Sequence, residues 1–500
     1  MKKRSRLAGG KVWVRGVGVA LFLGLVLFLS RAKTVDIRSF GAVGDGLTIN
    51  TLAIQRAIDN CARVGGGRVT FADGDYVTGT LRLQDGVNLH VERNARILGS
   101  TNLGDYPPDL RGAVEAPAFS SALFYAEGAT GISLSGDGQI DGRGCPRAFP
   151  VVRGKKLGPR PMLMRLVDCR DITVTGLTFR NPASWGLHLV NCERVRFQAI
   201  RMESQANNIN NDGIDLDGCR SVQIDGCVIQ SGDDAVCLKS TGAHPCEDIE
   251  VRSCELSSHT AGFKLGTSSS GGFINIRLQD TLFRDCPMGA IKLLLVDGGR
   301  MENVVLTDLR MERVGSPLFI RLGNRGRAYD RPTEQVYAAD RAPEGRPVGS
   351  LRGIQMRRVQ AEVSGSQRDR EPIMITGIRG HFPQDLTLED VEISFPGGGT
   401  TAEAARNVPE DEARYPEQYF FGVLPASCLF ARHVRGLTLR NVRFKVRRPD
   451  SRPPIVLQDV EEWEADPLLV NGVPWLAPAP PAGENFPDGN PVQGRGGISQ

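Results

Sequence analysis

A short apolar pattern recurs about every 27 residues through the middle of this 500-residue chain. An apolar residue is followed by others at positions +2, +5 and +7, and the +2 steps are the periodicity of a β-strand. Successive copies are separated by 23, 27, 27, 27 and 28 residues. Their first residues are Ile172, Val195, Val222, Ile249, Ile276 and Val304, with later copies at Ile354, Leu386 and Leu437. Because no copy contains a helical pattern, this spacing predicts a parallel β-helix, with turns stacked about 4.8 Å apart.

The predicted architecture is all-β, with a single parallel β-helix over residues 33–465. The first turn of such a coil needs a cover. The amphipathic stretch Asn50–Ala62 predicts a short capping helix at that end. Residues 325–350 and 396–419 interrupt the repeat, so we expect loops that overhang one face. Residues 466–500 are interpreted as a tail, because 12 of the last 30 residues are glycine or proline.

The first 32 residues form a separate segment. They carry seven basic and no acidic side chains, and an apolar stretch at residues 17–29 precedes Ser30-Arg31-Ala32. This pattern is typical of a secretory signal peptide, and the alternative is an uncleaved membrane anchor. We therefore expect a secreted or periplasmic protein that contacts a membrane only if the segment is retained as an anchor.

The net charge of +4 comes from this amino-terminal segment. Of the 61 basic and 57 acidic side chains, seven basic ones lie within it, which leaves 54 basic against 57 acidic. No basic tract has the character of a nucleic-acid footprint. One long apolar run is too few for a polytopic membrane protein. We expect a monomer with no nucleic-acid partner, no cofactor and no metal.

The 11 cysteines follow the same repeat. Six of them occupy equivalent repeat positions: Cys169, Cys192, Cys219 and Cys246 in one column, and Cys227 and Cys254 in another. Neighbours in a column would have Cα atoms near enough for a disulfide. A ladder of small buried thiols is the other interpretation. The spacing Cys-x-x-Cys, typical of zinc sites, is absent from the sequence.

The repeat register also places three aspartates close together. When Ile214 is aligned with Val236, Asp212 falls level with Asp234 on the next turn, and Asp233 precedes Asp234. Like charges at such a distance raise at least one pKa, which suits a general acid beside a general base. Inverting glycosidic cleavage uses two carboxylates roughly 6.5–9.5 Å apart. The competing interpretation is that these are ordinary turn aspartates.

An ordered set of motifs resembles glycoside hydrolase family 28, the polygalacturonases, which are right-handed β-helices. The similarity runs from about residue 35 to residue 460. The matching stretches are Ser39–Gly46, Asn50-Thr51, Asn181-Pro182 with Trp185 and His188, Asn210–Asp215, and Gly232–Asp234. The resemblance implies an exported hydrolase of pectin-like polysaccharide, either polygalacturonan or rhamnogalacturonan, which works by acid/base catalysis with inversion. By the same resemblance Asp233 would be the general acid, while Asp212 and Asp234 would hold and activate the attacking water.

Two family motifs are altered here. In place of Gly-His-Gly the chain has Ser258–Gly262, where Thr260 takes the position of the family's histidine and His259 lies one residue earlier. In place of Arg-Ile-Lys it has Ala290-Ile291-Lys292, which keeps the lysine and loses the arginine. The family's arginine and lysine are expected to bind the substrate carboxylate, so these changes put an ordinary galacturonan site in doubt.

Lys264 is a candidate replacement for the missing arginine. It lies one repeat before Lys292 and faces outward, in the column of His188, Asp215 and Cys237. Two lysines on adjacent turns would bind a uronate as point charges. The expected substrate-binding residues are Asn210, Asp215, His259, Lys264 and Lys292.

Two other functions fit the same fold. A polysaccharide lyase would hold calcium on Asp212, Asp233 and Asp234 and would use Lys264 as its base. A non-catalytic carbohydrate-binding β-helix would explain the two altered motifs.

Overall fold

The computed structural model describes residues 33–107, 120–150, 152–153, 156–204, 209–327, 347–364 and 372–476. The predicted leader, residues 1–32, lies outside them. From Lys33 onward the chain forms one compact unit. It winds into a coil whose turns each contribute strands to parallel sheets that run along the coil axis.

The strands are numbered in chain order and grouped here by sheet. The first sheet contains β1 (Lys33–Asp36), β3 (Gly67–Phe71), β6 (Val87–Val91), β9 (Ser133–Gly136), β14 (Arg170–Thr175), β17 (Glu193–Gln198), β20 (Arg220–Asp225) and β23 (Cys246–Arg252). The second contains β2 (Asp45–Ile49), β4 (Gly74–Thr78), β7 (Ala95–Gly99), β10 (Gln139–Asp141), β15 (Thr178–Arg180), β18 (Arg201–Glu203), β21 (Val228–Ser231) and β24 (Glu255–Ser258).

The first and second sheets merge in the later turns, because single long strands there cross both faces. These are β26 (Phe273–Arg284), β28 (Arg300–Val314), β30 (Ser350–Val363), β32 (Gln384–Gly397), β33 (Leu429–Arg448) and β34 (Ile455–Val470). The third sheet contains β5 (Leu81–Arg82), β8 (Ala122–Glu127), β13 (Met162–Val167), β16 (Leu187–Val190), β19 (Ile214–Asp217), β22 (Val236–Ser240), β25 (Phe263–Ser269), β27 (Ile291–Leu295), β29 (Leu318–Leu322), β31 (Ile373–Thr376) and the starts of β33 and β34.

The predicted repeat is the register of the first sheet. Ile172 pairs with Val195, which pairs with Val222, and the ladder continues through the predicted first residue of every later copy. These side chains are buried and form the spine of one continuous core. The parallel β-helix is therefore confirmed. Its apolar interior is built by stacking like residues on successive turns.

The predicted capping helix is present as α1 (Thr51–Ala62), with Asn50 at its N-cap position. It buries Ile54, Ala57, Ile58 and Cys61 against the coil. Leu52, in the first turn of the helix, is exposed. The helix covers the amino-terminal side of the core and shields its apolar residues from water.

The carboxyl-terminal boundary differs from the prediction. Residue 465 lies inside β34, which continues to Val470 and then pairs in an antiparallel hairpin with β35 (Val473–Pro474). The part of the predicted tail from residue 477 onward lies outside the described residues. The only other antiparallel pair of strands in the described ranges is β11 (Val152–Arg153) with β12 (Lys156–Leu157).

The interruption predicted at residues 396–419 is a real excursion from the coil. It leaves at the end of β32 and returns at β33, and we call residues 398–428 the covering segment. It contains the short helix α2 (Thr401–Ala404) and a 3₁₀ turn, Gln418–Phe421. The other predicted loop, 325–350, lies mostly outside the described residues.

All 11 cysteines fall within the described residues, and all are free thiols. Ten are buried, and Cys145 is partly exposed. Each column forms a thiol ladder, as one of the two interpretations of the spacing predicted.

Candidate active site

One column of outward-facing positions runs along the third sheet. His188 pairs in register with Asp215, Asp215 with Cys237, Cys237 with Lys264, and Lys264 with Lys292. This is the column predicted from the repeat. All five side chains are nevertheless buried. The outer face of this sheet is therefore closely packed at these five positions.

The predicted catalytic aspartates lie just before the third-sheet strands of neighbouring turns. Asp212 precedes β19, and Asp233 and Asp234 precede β22. The Gly213 amide donates to the Asp234 carbonyl at 2.9 Å, which ties the two turns together. A Cβ at Gly213 would lie 2.4 Å from the Ala235 carbonyl oxygen, so this close approach of two backbones requires glycine.

The hydroxyl of Thr260 bridges two of the three aspartates. Its Oγ1 lies 2.9 Å from Asp233 Oδ1 and 2.7 Å from Asp234 Oδ1. The other oxygen of Asp233 accepts from the Asn210 amide at 3.1 Å, and the other oxygen of Asp234 accepts from Lys264 Nζ at 2.8 Å. Both carboxylates are thus fixed on both sides, and Thr260 links them directly.

Asp212 completes the cluster from the preceding turn. It is 3% exposed, and its Oδ1 has no hydrogen-bond partner among the described residues. A carboxylate oxygen of Asp212, one of Asp234 and the thiol of Cys237 all lie within 4.8 Å of one another. A single water can contact two carboxylates at that separation. Asp212 therefore has a free acceptor beside Asp234.

The same three ligands are a weak metal site. The ammonium group of Lys264 already occupies one oxygen of Asp234. Burial raises the pKa of the Cys237 thiol well above its usual range, and a neutral thiol binds metals poorly. The donor set therefore favours carboxylate chemistry over metal chemistry.

The surroundings separate the pKa values of the three carboxyl groups. Burial and then the charge of Asp234 raise the pKa of Asp233. Burial would also raise the pKa of Asp234, but Lys264 and Lys292 outweigh it and lower this pKa to about 2. Asp233 thus favours the protonated form and Asp234 the ionised form, which is the pairing required of an acid and a base.

The surroundings of Asp212 favour its protonated form. Burial, followed by the charges of Asp215 and Asp233, raises the pKa of Asp212 well above its usual range. A protonated Asp212 can orient a water by hydrogen bonding, but it cannot take a proton from that water. Of the three carboxyl groups, only Asp234 has the electrostatic surroundings of a base.

The predicted substrate-binding lysines are already paired. Lys264 binds Asp234, and Lys292 Nζ lies 2.5 Å from Glu417 Oε2. Both ammonium groups lie in buried surroundings, with Lys264 5% and Lys292 1% exposed. A uronate would have to compete with Asp234 or Glu417 for these charges.

The covering segment supplies Glu417 and closes the site on one side. Its apolar residues pack on outward-facing residues of the later third-sheet strands; the resulting cluster contains Leu294, Phe319, Met374, Val408, Phe421, Leu424, Ala426 and Phe430. Two buried arginines hold the segment through its carbonyl groups: Arg432 donates to Val408 and Pro409, and Arg321 donates to Glu410 and Asp411. The outer face of the third sheet is therefore covered from the turn of Lys292 onward.

The other predicted binding residues occupy different positions. Asn210 contacts Asp233 through its backbone amide, so it holds this carboxyl group in place. Asp215 is fully buried, with Lys239 Nζ 3.5 Å from its Oδ1, and lies beneath the site. His259 is exposed and lies outside the hydrogen bonds that join the aspartates.

Sequence reasoning missed several residues that shape the site. Arg160 is buried and donates to the carbonyls of Ala183 and Ile209 and to Asn210 Oδ1, so it fixes the peptide that contacts Asp233. Lys239, which lies over the ring of Trp185 at 4.7 Å, shares its strand with Cys237 and could have been found from the register. Tyr415 and Glu417 lie in a segment without a repeat, and no sequence signal places them here.

Comparison with known proteins identifies the family. Residues 78–414 match the family described as Glycosyl hydrolases family 28. A probable polygalacturonase of Vitis vinifera is 29% identical over 352 residues, which cover 66% of this chain and 69% of that protein. An exo-poly-alpha-D-galacturonosidase of Dickeya chrysanthemi is 27% identical over 252 residues, 41% of each chain.

Similarity to solved structures supports the fold. The family 28 exopolygalacturonase of Yersinia enterocolitica superposes with a TM-score of 0.68 at 19% identity, covering 87% of this chain and 79% of that one. The fold is thus the right-handed parallel β-helix.

The β-helix fold and the family match together identify the chain as a glycoside hydrolase. The chain belongs to glycosyl hydrolases family 28, whose match covers more than half of its residues.

Proposed function

We propose that this protein is an exported hydrolase that cleaves the backbone of pectic polysaccharide, either polygalacturonan or rhamnogalacturonan. The observation that carries the proposal is the pair Asp233 and Asp234, joined by Thr260 and biased in opposite directions by burial and by Lys264. The names of the Vitis and Dickeya relatives support a galacturonate-containing substrate. Export is inferred from residues 1–32, and no helix in the described ranges is long and apolar enough to cross a membrane.

We propose a role for each aspartate. Asp233 is half-buried, the most accessible of the three, and donates its proton to the glycosidic oxygen as the bond breaks. Asp234 is ionised and takes a proton from the attacking water. Asp212 orients that water through its free oxygen. General acid–base assistance of this kind typically contributes about 10²–10⁴-fold to the rate.

We propose that cleavage inverts the anomeric configuration. Because Thr260 Oγ1 bonds Asp233 and Asp234 at 2.9 and 2.7 Å, the bridged oxygens lie closer together than the roughly 6.5–9.5 Å usual for inverting enzymes. Asp234 is nevertheless badly placed to attack a sugar carbon directly, since it is 2% exposed and a sugar ring is much larger than a water. A water between Asp212 and Asp234 is the better nucleophile, and direct attack by water inverts the product.

The covering segment supports attack at chain ends. Its packing covers the third sheet from Lys292 onward, so a polysaccharide that runs along the coil axis meets protein there. A site closed on one side accepts the end of a chain more readily than its middle. The name of the Dickeya relative, an exo-acting enzyme, is consistent with this mode.

The lyase alternative is weakened by Lys264. Burial alone would lower the pKa of this ammonium group, but Asp234, Tyr415 and Glu417 outweigh it and raise the pKa well above its usual value. A lysine held in its charged form cannot abstract a proton from a sugar. Hydrolysis needs no such base and is the function that the site supports best.

The decisive experiment is a reducing-end assay of purified protein on polygalacturonan, rhamnogalacturonan and xylogalacturonan, with Asp233→Asn as the matched variant. The proposal expects new reducing ends with the wild type, nearly none with the variant, and the inverted anomer in early NMR spectra. Ultraviolet-absorbing unsaturated products would indicate a lyase. Binding without cleavage would indicate the carbohydrate-binding alternative.

A further inference from the structure

Thr260 is held rigidly between the two reacting carboxyl groups. Its backbone amide donates to Ser258 Oγ at 2.9 Å, and Ser258 Oγ donates to the Asp233 carbonyl at 2.6 Å. These bonds lock the turn before β25 onto the turn before β22. The position of the Thr260 hydroxyl is therefore fixed by the backbone of Asp233, whose carboxyl group this hydroxyl contacts.

A hydroxyl in this position can bond both neighbours at once only in one way. It has a single proton to donate, whereas its oxygen can also accept. When either Asp233 or Asp234 is protonated, that acid donates to Thr260 Oγ1, and Thr260 donates to the ionised partner. Both short distances are then proper hydrogen bonds, and together they form a continuous path for a proton.

Inverting hydrolysis leaves the two aspartates in the wrong states for the next cycle. The acid has lost its proton to the leaving sugar, and the base has gained one from water. Before another bond is cleaved, a proton must leave Asp234 and a proton must reach Asp233. Asp234 is only 2% exposed and has Lys264 on its other oxygen, so its exchange with bulk water is restricted.

We infer that Thr260 returns this proton directly, as a relay between Asp234 and Asp233 that resets the enzyme after each cleavage. The inference rests on the proposed function. In the step, the O–H bond of Asp234 breaks as its proton binds Thr260 Oγ1. The original O–H bond of Thr260 breaks at the same time, and the proton released from it binds Asp233. Thr260 ends as it began, Asp234 is again ionised and Asp233 is again protonated, with no external donor.

The surroundings make this transfer favourable. Lys264 and Lys292 lower the pKa of Asp234 to about 2, whereas burial and Asp234 raise the pKa of Asp233. The proton therefore moves from the stronger acid to the weaker one. No other hydroxyl in the described ranges is hydrogen-bonded to both carboxyl groups.

The test compares Thr260→Val, which keeps the shape and removes the hydroxyl, with Thr260→Ser, which keeps the hydroxyl. Rapid-quench measurements follow reducing ends released from the pectic fraction that the wild type hydrolyses fastest. Enzyme equilibrated before mixing starts with a protonated acid and needs no relay for its first cleavage. We expect Thr260→Val to release its first equivalent per enzyme in a burst and then to continue roughly 10²-fold more slowly than that burst, the low end for positioned proton transfer, whereas Thr260→Ser shows no such slowing.

Two further readouts separate a relay from a structural role. Added formate, a small proton carrier, is expected to accelerate the slow phase of Thr260→Val and to leave Thr260→Ser unchanged. Thermal unfolding of all three proteins checks that the fold survives. A Thr260→Val enzyme with wild-type steady-state turnover would overturn the relay, as would one whose first cleavage is slowed as much as later ones and is insensitive to formate. A wild type that cleaves nothing would overturn the proposed function itself, and the relay with it.

Discussion

Lys292 and Glu417 lie 125 residues apart in the sequence, yet their side chains form an ion pair, with Nζ and Oε2 2.5 Å apart. The lysine belongs to the coil and the glutamate to the covering segment. The pair is almost fully buried, with side-chain exposures of 1% and 9%. It places a carboxylate beside the lysine that was expected to bind the carboxylate of the substrate.

Breaking this pair on one side is expected to destabilise the protein. Glu417→Gln leaves the buried Lys292 charge without its hydrogen-bonded counter-charge, and such changes typically cost about 3–5 kcal/mol. The double variant Lys292→Met with Glu417→Gln removes the charge as well and should recover much of the loss. Urea unfolding of the wild type, both single variants and the double variant measures the coupling. Equal stability of Glu417→Gln and the wild type would show that the pair contributes little.

Asp233→Asn is expected to lower turnover by about 10²–10⁴-fold with little effect on folding, because the amide cannot donate the required proton. Asp225→Asn is a suitable control, since Asp225 contacts Arg252 away from the site. A substrate with a good leaving group needs less protonation and should partly rescue Asp233→Asn. Near-normal turnover of this variant on the best polysaccharide would contradict the assignment of the acid.

The pH profile should follow the two separated carboxyl groups. Activity needs Asp234 ionised and Asp233 protonated, so kcat/KM falls below the pKa of Asp234, about 2, and above the raised pKa of Asp233. Lys264→Met removes the cation bound to Asp234 and therefore raises the pKa of Asp234. We expect the acidic limb of the profile to move to higher pH, and to move less in Lys292→Met. An unchanged acidic limb in Lys264→Met would mean that another group titrates there.

Ionisation of the Asp212 carboxyl group is expected to lower the free energy of unfolding at neutral pH. Its folded-state pKa is raised, by burial and then by Asp215 and Asp233, so the folded protein binds more protons than the unfolded chain. Stability is therefore lost as pH rises from about 4, the unfolded-state value, through the folded-state pKa. Asp212→Asn cannot ionise and should be more stable than the wild type at pH 7, with the gain shrinking towards pH 4.

Asp217→Asn is the matched control for that measurement. Asp217 is also buried, but its oxygens accept from the Thr241 amide and hydroxyl at 2.9 and 2.6 Å. Its replacement should destabilise the protein, because the new amide group cannot accept both bonds. Urea midpoints at pH 4 and pH 7 compare the two variants. A destabilised Asp212→Asn at pH 7 would show that Asp212 is satisfied as a carboxylate.

The sequence periodicity was sufficient to predict the coil and the position of its aspartates. A solenoid repeats its register, so aligning Ile214 with Val236 also aligned Asp212 with Asp234. The same logic placed Lys264 beside Lys292. The repeat does not predict where the covering segment lies, because the contacts of this segment join residues far apart in sequence with no repeating pattern. For that reason the burial of both lysines and the part played by Glu417 could not be predicted.

The bridging position of Thr260 could be predicted only in part from the sequence. Alignment showed that it takes the place of a family histidine, but not that its hydroxyl contacts two carboxyl groups. That contact depends on the rotation of three side chains, which a register of strands does not specify. The role of Arg160 could not be predicted for a similar reason, since its guanidinium group binds backbone carbonyl groups of turns.

The covering segment also has a consequence for biosynthesis. The three aspartates and Lys292 precede residue 398 in the chain, so the turns that contain them can stack before the covering segment docks. During that interval Lys292 has no Glu417, and the apolar surface around Phe319 is bare. Docking of the covering segment therefore joins a late part of the chain to an early one, and it also needs β33, whose Arg432 binds the carbonyl groups of Val408 and Pro409. A chain that ends prematurely would contain every proposed catalytic group and still lack a finished site.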